Sequence, residues 1–341
     1  MNLLIGKPNA GKSNLLEAIS LLGGVAYGTG LADFMRFEHV RNLFYDNAVT
    51  ERLVSVESNL GLAGLSYEPN ATKLSYVSQA GIEQWQTQNK HSQSTRPNIE
   101  TLLKMEGWQD SLGTSLKADG TFVGEFKGNV AAQAIKKYAF RTDKQNQPAI
   151  TNASFLWPPF GSNLIDVLQR HRPLRQEVAG FFQGEWLAAT VSEENKLEIQ
   201  KVVDDASYAY PYSSVADTLQ RIIFYLAAIE SNTNSILLFE EPEAHTFPVY
   251  TTLLGDKIAA DPSNQYFIAT HSLYLASEIM EAMLRDQETP SELTIFLTYY
   301  EDYQTKLYQL SDKEVRDIRR DGLDVFCNLN RYTPGPNPYA A

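Results

Sequence analysis

The sequence predicts an α/β fold with a mostly parallel core sheet, an antiparallel β meander and a helical lobe. Three observations carry that expectation. Gly6-Lys7-Pro8-Asn9-Ala10-Gly11-Lys12-Ser13 fits G-x-x-x-x-G-K-[ST] at every fixed position, between an apolar run at Asn2–Ile5 and a helix-like stretch at Lys12–Leu22. Ile236–Phe239 and Tyr266–Ala269 are continuous apolar runs of strand length, as central parallel strands are. Residues 248–260 between them suit a crossover helix, and strand–helix–strand alternation is the mark of an α/β sheet. Together they describe a P-loop nucleotide-binding (P-loop NTPase) fold.

The other elements follow in order. Gly23-Gly24 stops the helix after the loop. Leu53–Glu57, Leu65–Tyr67 and Lys73–Val77 read as closely spaced strands of the meander. Residues 78–98, rich in Ser, Gln, Thr and Asn, read as a flexible loop. Asp119-Gly120 is a hairpin signal between Thr114–Lys117 and Thr121–Phe126. Ser154–Gly161 is an aromatic, proline-stiffened turn leading into helices near 162–170 and 173–183. Arg170, His171, Arg172 and Arg175 form the densest basic cluster, which reads as a solvated helix junction rather than a DNA contact. Asp217–Glu230 is a helix whose Leu219, Ile222, Ile223 and Leu226 place one stripe on the core. Leu293–Thr298 and Lys306–Leu310 read as strands. Ser311 and Glu314 form a capping box opening a polar helix that stops near Gly322. Residues 331–341, with Pro334, Pro336 and Pro338, read as a loose tail.

Composition excludes several classes. At 43% hydrophobic and 21% charged, 341 residues can bury a sizeable core without staples. The single cysteine, Cys327, rules out an intrachain disulfide framework and fits a reducing compartment; it reads as a small buried apolar residue, not a nucleophile. No apolar run reaches the roughly eighteen residues of a membrane span, and the N-terminus does not read as a signal peptide, so a cytoplasmic protein is expected. A net charge of −12 does not attract DNA over the whole surface, so any nucleic-acid contact needs a local basic patch.

The chemistry is read from strand ends. A helix N-terminus presents unpaired N–H groups and partial positive charge to phosphate. Gly6, Asn9, Ala10, Gly11, Lys12, Ser13 and Asn14 form the expected nucleotide-binding set. Lys12 would reach the β- and γ-phosphates, and the Ser13 hydroxyl would ligate Mg²⁺. Hydrolysis also needs a metal carboxylate and a group that orients water. In parallel α/β sheets ligands bind at the carboxyl ends of strands, where Ile236–Phe239 delivers Glu240 and Glu241. Glu240 is the expected metal ligand, through water, and Glu241 the catalytic base or water orienter. Thr270-His271-Ser272 ends the next strand, which brings His271 within reach of the γ-phosphate as a second catalytic residue.

With these residues in hand, the chain resembles the ABC-type ATPase heads, in the branch of OLD-type, SMC-like and RecF-like ATPases of bacterial DNA repair and phage defence. The likeness rests on GKPNAGKSNLLEAISLL at 6–22, ILLFEEPEAHTFP at 236–248 and FIATHSLYLAS at 267–277. The resemblance implies ATP and Mg²⁺ as cofactors and a homodimer that closes around nucleotide. It also implies one ATPase domain: a first lobe at 1–128 and 231–330 and a helical, signature-bearing lobe at about 129–230. The signature that acts in trans on a partner's nucleotide falls near 213–221. There Val215, Ala216 and Asp217 stand where Ser-x-Gly is the family pattern, leaving Ser213, Ser214 and Asp217 as the candidates. Asp217 is expected to cap the following helix. Glu240 stands where the family has aspartate. The region that stacks on adenine precedes the loop in family heads, whereas Met1 opens the loop's own strand here; a late-assigned start or a trimmed chain is the expectation. No D-x-D cluster follows His271, so a Toprim nuclease domain is not expected and any cleavage would come from a separate effector protein.

Other readings compete. The loop alone also looks like that of translation-factor GTPases, but Asn89-Lys90-His91-Ser92 lacks the aspartate of a guanine motif. A transporter ATPase subunit shares the fold but keeps an intact signature. A non-catalytic ATP-gated scaffold restraining a toxin or nuclease is consistent with the degenerate one.

Overall fold

The computed structural model describes residues 1–44, 53–58, 61–68, 73–80, 111–117, 119–127, 134–144, 153–182, 187–191, 197–203, 206–285 and 292–333. The elements in chain order are β1 (Asn2–Gly6), α1 (Lys12–Leu21), β2 (Leu53–Glu57), β3 (Gly61–Glu68), β4 (Lys73–Ala80), β5 (Ser111–Leu116), β6 (Phe122–Lys127) and β7 (Ile135–Tyr138). There follow α2 (Leu164–Arg170), α3 (Arg172–Gly180), β8 (Leu187–Val191), β9 (Leu197–Val203), β10 (Ala206–Pro211) and α4 (Asp217–Ser231). The chain ends with β11 (Ile236–Glu240), α5 (Pro248–Ala260), β12 (Gln265–Ala269), α6 (Leu273–Met283), β13 (Thr294–Glu301), β14 (Gln304–Gln309) and α7 (Asp312–Arg320). Two units divide these elements: Met1–Ser13 with Tyr138–Ala341, and Asn14–Lys137.

The first unit is a layered α/β structure. Its sheet runs β14-β13-β1-β12-β11. β1 is parallel to both β12 and β13, and β11 is parallel to β12; only the edge strand β14 runs antiparallel. Such strands are apolar along their whole length because helices cover both faces. Leu237, Leu238 and Phe239 are fully buried, as are Leu3, Leu4 and Ile5. Ala269 pairs with Leu4 on one side and Glu240 on the other, so β11 and β12 end level and β1 runs two residues further, to Gly6. That alignment gathers the loops after β1, β11 and β12 on one edge.

Helix α4 departs from the expected single stripe. Every residue from Ile222 to Ile229 is buried, including Phe224 and Tyr225. The reason is that α4 is packed on several sides. It contacts α2, α3 and α5, while Phe224 meets Tyr138 and Phe140 edge-on and Tyr225 meets Phe239. The same unit carries an antiparallel sheet, β10-β9-β8, within the stretch expected to be helical. The Ser311–Glu314 capping box forms with both bonds: Glu314 N–H donates to Ser311 Oγ at 3.3 Å, and Ser311 N–H donates to Glu314 Oε2 at 2.8 Å. After it, Gly322 adopts φ +59° and ends the helix. Thr333 N–H bonds back to Leu329, and residues 334–341 lie outside the described residues.

The second unit contains the antiparallel meander, β2-β3-β4-β5-β6. The strands are longer than their apolar cores suggest. Ser78, assigned to a flexible loop from composition, lies in β4 and is 2% exposed; residues 81–98 of that stretch lie outside the described residues. At the predicted hairpin, Thr121 N–H donates to Asp119 Oδ1 at 2.9 Å and Gly120 has φ +83°. Tyr76 donates its hydroxyl to the carbonyl of Leu21 at 2.7 Å, closing the end of α1.

Candidate functional site

The site is built around the loop from β1 to α1. The loop turns through two left-handed residues, Asn9 at φ +61° and Gly11 at φ +93°. Gly11 is required twice over. Its φ disfavours a side chain, and an added Cβ would lie 2.0 Å from Thr305 Oγ1 on β14. Gly6 is equally confined, since a Cβ there would lie 2.0 Å from Thr298 Oγ1 on β13. Lys12 is only 5% exposed, and its ammonium donates to the carbonyls of Gly6 at 2.8 Å and Lys7 at 3.1 Å. Burial lowers its pKa, opposed by the charges of Glu241 and Glu240. Ser13 is half-buried in the first turn of α1, which carries no acidic residue to compete for its N–H groups. Asn14 is exposed and belongs to the second unit.

The ends of β11 and β12 supply the rest. Glu241 turns the chain with φ +44°, and its N–H donates to the Ala269 carbonyl at 2.8 Å. Its Oε1 lies 3.5 Å from His271 Nε2. Burial lowers the His271 pKa below its ordinary 6.5, Lys12 lowers it further and Glu241 opposes both. The ring is therefore neutral at pH 7, and its tautomer can present either a donor or an acceptor. Lys12, Glu240, Glu241 and His271 thus lie within electrostatic reach of one another.

Ser213, Ser214 and Asp217 are held differently. The two serines are exposed in the turn Tyr212–Ser214. Asp217 does not cap α4 as expected: it is the first helical residue, the capping position is Ala216, and its carboxylate sits 3.8 Å from Arg221 one turn on. Val215-Ala216 offers no capping oxygen, so the helix begins on the charge pair instead. Among the described residues no hydrogen bond or ion pair joins these three to the Lys12 group.

Glu243 is a residue that motif reading passed over. Thr270 Oγ1 donates to Glu243 Oε1 at 2.5 Å, and the backbone N–H of His271 donates to the same oxygen at 3.2 Å. Thr270 in turn accepts from Ser272 N–H at 2.9 Å. The turn after β11 is thereby tied to the turn that aims His271. Burial raises the Glu243 pKa, against the hydrogen bonds from Thr270 and His271. Its other oxygen is buried with no partner among the described residues. The signal available in the sequence was a third carboxylate two residues beyond Glu241, facing a threonine that precedes the histidine.

Two further expectations can be compared. In the basic cluster, Arg170 donates to the Ala153 carbonyl and Arg175 to that of Gln169, while His171 Nε2 lies 3.3 Å from the Ser154 carbonyl, a junction of helices and turn. Cys327 is exposed, not buried, because it sits in a turn organised by Asp324, whose carboxylate accepts the Cys327 N–H at 3.2 Å. That carboxylate also raises the thiol pKa, which suppresses the nucleophilic thiolate.

The residues present suit a magnesium–triphosphate. Mg²⁺ is usually held by one or two carboxylates with phosphate oxygens and several waters, rather than by an all-protein cage. Ser13 and Glu240 match that modest donor set. A buried lysine bonded, among the described residues, to backbone carbonyls alone, at a helix start free of acidic residues, matches an anion.

No family model matches the chain, and no curated protein matches it. Among solved structures, the chain is similar to an SmcHead bound to the C-winged helix domain of ScpA, with 13% identity, a TM-score of 0.47, and 93% of this chain and 92% of that one covered. It is similar to an Smc head with an extended coiled coil from Pyrococcus furiosus (12% identity, TM-score 0.43, 94% and 92% covered). A third likeness is to MJ1267, an ATP-binding cassette of an ABC transporter (9% identity, TM-score 0.35, 94% and 84% covered).

Proposed function

We propose that this chain is an ABC-type, Mg²⁺-dependent ATP-binding and ATP-hydrolysing head that forms a homodimer around nucleotide. The observation that supports this reading is the convergence of Lys12, Glu240, Glu241 and His271 at one sheet edge beside a phosphate loop. Lys12 and the loop N–H groups hold the phosphates, and Ser13 and Glu240 hold the metal. Mg²⁺, when bound, neutralises charge on the transferring phosphoryl oxygens. Glu241 orients and deprotonates water, and neutral His271 bonds to the terminal phosphate. The branch is the OLD/SMC-like/RecF-like one. The setting is cytoplasmic DNA repair or antiviral defence, with a separate effector as partner and DNA as a candidate to be tested. Among the described residues no helix is long and apolar enough to cross a membrane. Val215-Ala216-Asp217 favours a second reading, an ATP-gated scaffold without turnover.

One set of measurements separates them. Lys12→Ala is expected to abolish ATP binding in calorimetry. Glu241→Gln is expected to keep ATP, slow hydrolysis by roughly 10²-fold or more and accumulate a dimer on gel filtration. Wild-type protein that binds ATP but shows no turnover, with or without DNA, supports the scaffold. Tighter binding of GTP than ATP overturns both.

A further inference from the structure

Glu241 and His271 face each other at 3.5 Å, yet neither side chain is held by packing: His271 is 38% exposed and Glu241 47%. Their spacing is therefore set by the two backbones that carry them. The sheet joins those backbones up to a point. Glu240 pairs with Ala269, Glu241 N–H donates to the Ala269 carbonyl at 2.8 Å, and Thr270 N–H donates to the Leu4 carbonyl at 3.2 Å. At His271 the ladder stops. Among the described residues no backbone carbonyl takes the His271 N–H, and the group that does is the Glu243 carboxylate, at 3.2 Å. The same oxygen accepts from Thr270 Oγ1, which in turn fixes Ser272 N–H. Glu243 thus adds one rung past the end of the sheet. It runs from the turn that presents Glu241 to the residue that presents the imidazole.

That rung works against stability. Glu243 Oε2 is buried with no partner among the described residues, and burial raises the carboxyl pKa. A buried acceptor without a donor destabilises the fold, whereas an apolar pair at 243 and 270 would close the same turn without that penalty. Groups that break such a rule, and titrate abnormally for it, concentrate where a site uses them.

We propose that Glu243 is a positioning residue for hydrolysis: by holding the Thr270 hydroxyl and the His271 amide it sets the spacing of His271 from Glu241, and so acts after ATP is bound. The assignment rests on the proposed hydrolytic reading and adds a residue outside the phosphate and metal set. It implies a split between binding and turnover. Misplacing groups that handle the attacking water and the terminal phosphate by about 1 Å can slow the reaction on the order of 10²-fold, while the loop that holds the phosphates is untouched.

Calorimetry for ATP affinity, phosphate release for kcat and imidazole NMR for His271 test it together. Glu243→Ala is expected to lower kcat on the order of 10²-fold with ATP affinity unchanged, and to move the His271 resonances, assigned by their loss in His271→Asn. Glu243→Gln keeps an oxygen acceptor and is expected to retain both kcat and the resonance positions. Where Glu243→Ala does not fold, Thr270→Val removes the hydroxyl donor within a side chain of the same shape and is expected to lower kcat in its place. Wild-type kcat in these variants, affinity lost in step with kcat, unmoved His271 resonances, or a Glu243→Gln protein as slow as Glu243→Ala overturns the assignment while the ATP reading stands. A wild-type protein that binds ATP without turnover overturns the hydrolytic reading and this assignment together.

Discussion

Two turns on the same sheet edge reach left-handed backbone by different routes. The phosphate loop uses Asn9 and Gly11, residues that adopt positive φ at little cost. The turn after β11 uses His245, which also tolerates it, and Glu241, which does not. The loop is held from outside, with Thr298 and Thr305 pressed against its glycines. The β11 turn is held by backbone hydrogen bonds instead: Ala244 N–H on the Glu241 carbonyl within it, Glu241 N–H on the Ala269 carbonyl of β12, and Thr218 Oγ1 of α4 on the His245 carbonyl at 2.7 Å. The contrast teaches where chemistry costs backbone energy. A loop that binds through its own N–H groups can use glycine. A turn that must present a carboxylate cannot, so it carries strain and needs supports.

The largest expected effect breaks the first turn. Gly11→Ala brings a methyl group into Thr305 at a φ that resists it, and should lower stability by about 2–4 kcal/mol, read from urea midpoints, with loss of nucleotide binding. A smaller effect sharpens the second. Glu243 has its pKa raised above the ordinary 4.5, so the folded protein keeps a proton that the unfolded chain has released. Its stabilising contribution is therefore complete below pH 4.5 and is lost as pH rises through the raised value. Glu243→Gln should remove that slope, and the variant should gain on wild type as urea midpoints are followed from acid to neutral pH. A variant that tracks wild type across the range would count against a buried, proton-retaining Glu243. The smallest change addresses strain itself. Glu241→Gly should leave stability unchanged or raise it by up to about 1 kcal/mol while eliminating ATP turnover, a separation of stability from activity that thermal melts and a phosphate-release assay can measure.

The parts legible in the sequence were those whose chemistry is local. The loop pattern, the two apolar strands, the Asp119-Gly120 turn and the Ser311–Glu314 box each declare themselves within about a dozen residues. The β13–β14 hairpin did not. Its two-residue turn puts Asp302 and Tyr303 at φ +50° and +60°, positions where Gly or Asn is the usual signal, so the strands seemed to stop short. Yet this hairpin supplies Thr298 and Thr305, which brace the loop from nearly 300 residues away in sequence. β8 to β10 were missed because nothing in 187–211 suggested pairing partners. The full burial of α4 depends on helices that a single periodic stripe does not report. Glu243 stayed hidden because its job is to hold Thr270 and the His271 backbone, a contact 27 residues away.

That clamp limits how the sequence can drift. A side chain partner can be exchanged: serine at 270 still donates, and an apolar pair at 243 and 270 would leave no mismatched hydroxyl. The second donor to Glu243 is different, because it is the amide of residue 271, which every amino acid except proline supplies. An acceptor at 243 therefore answers a donor that any residue but proline places at 271.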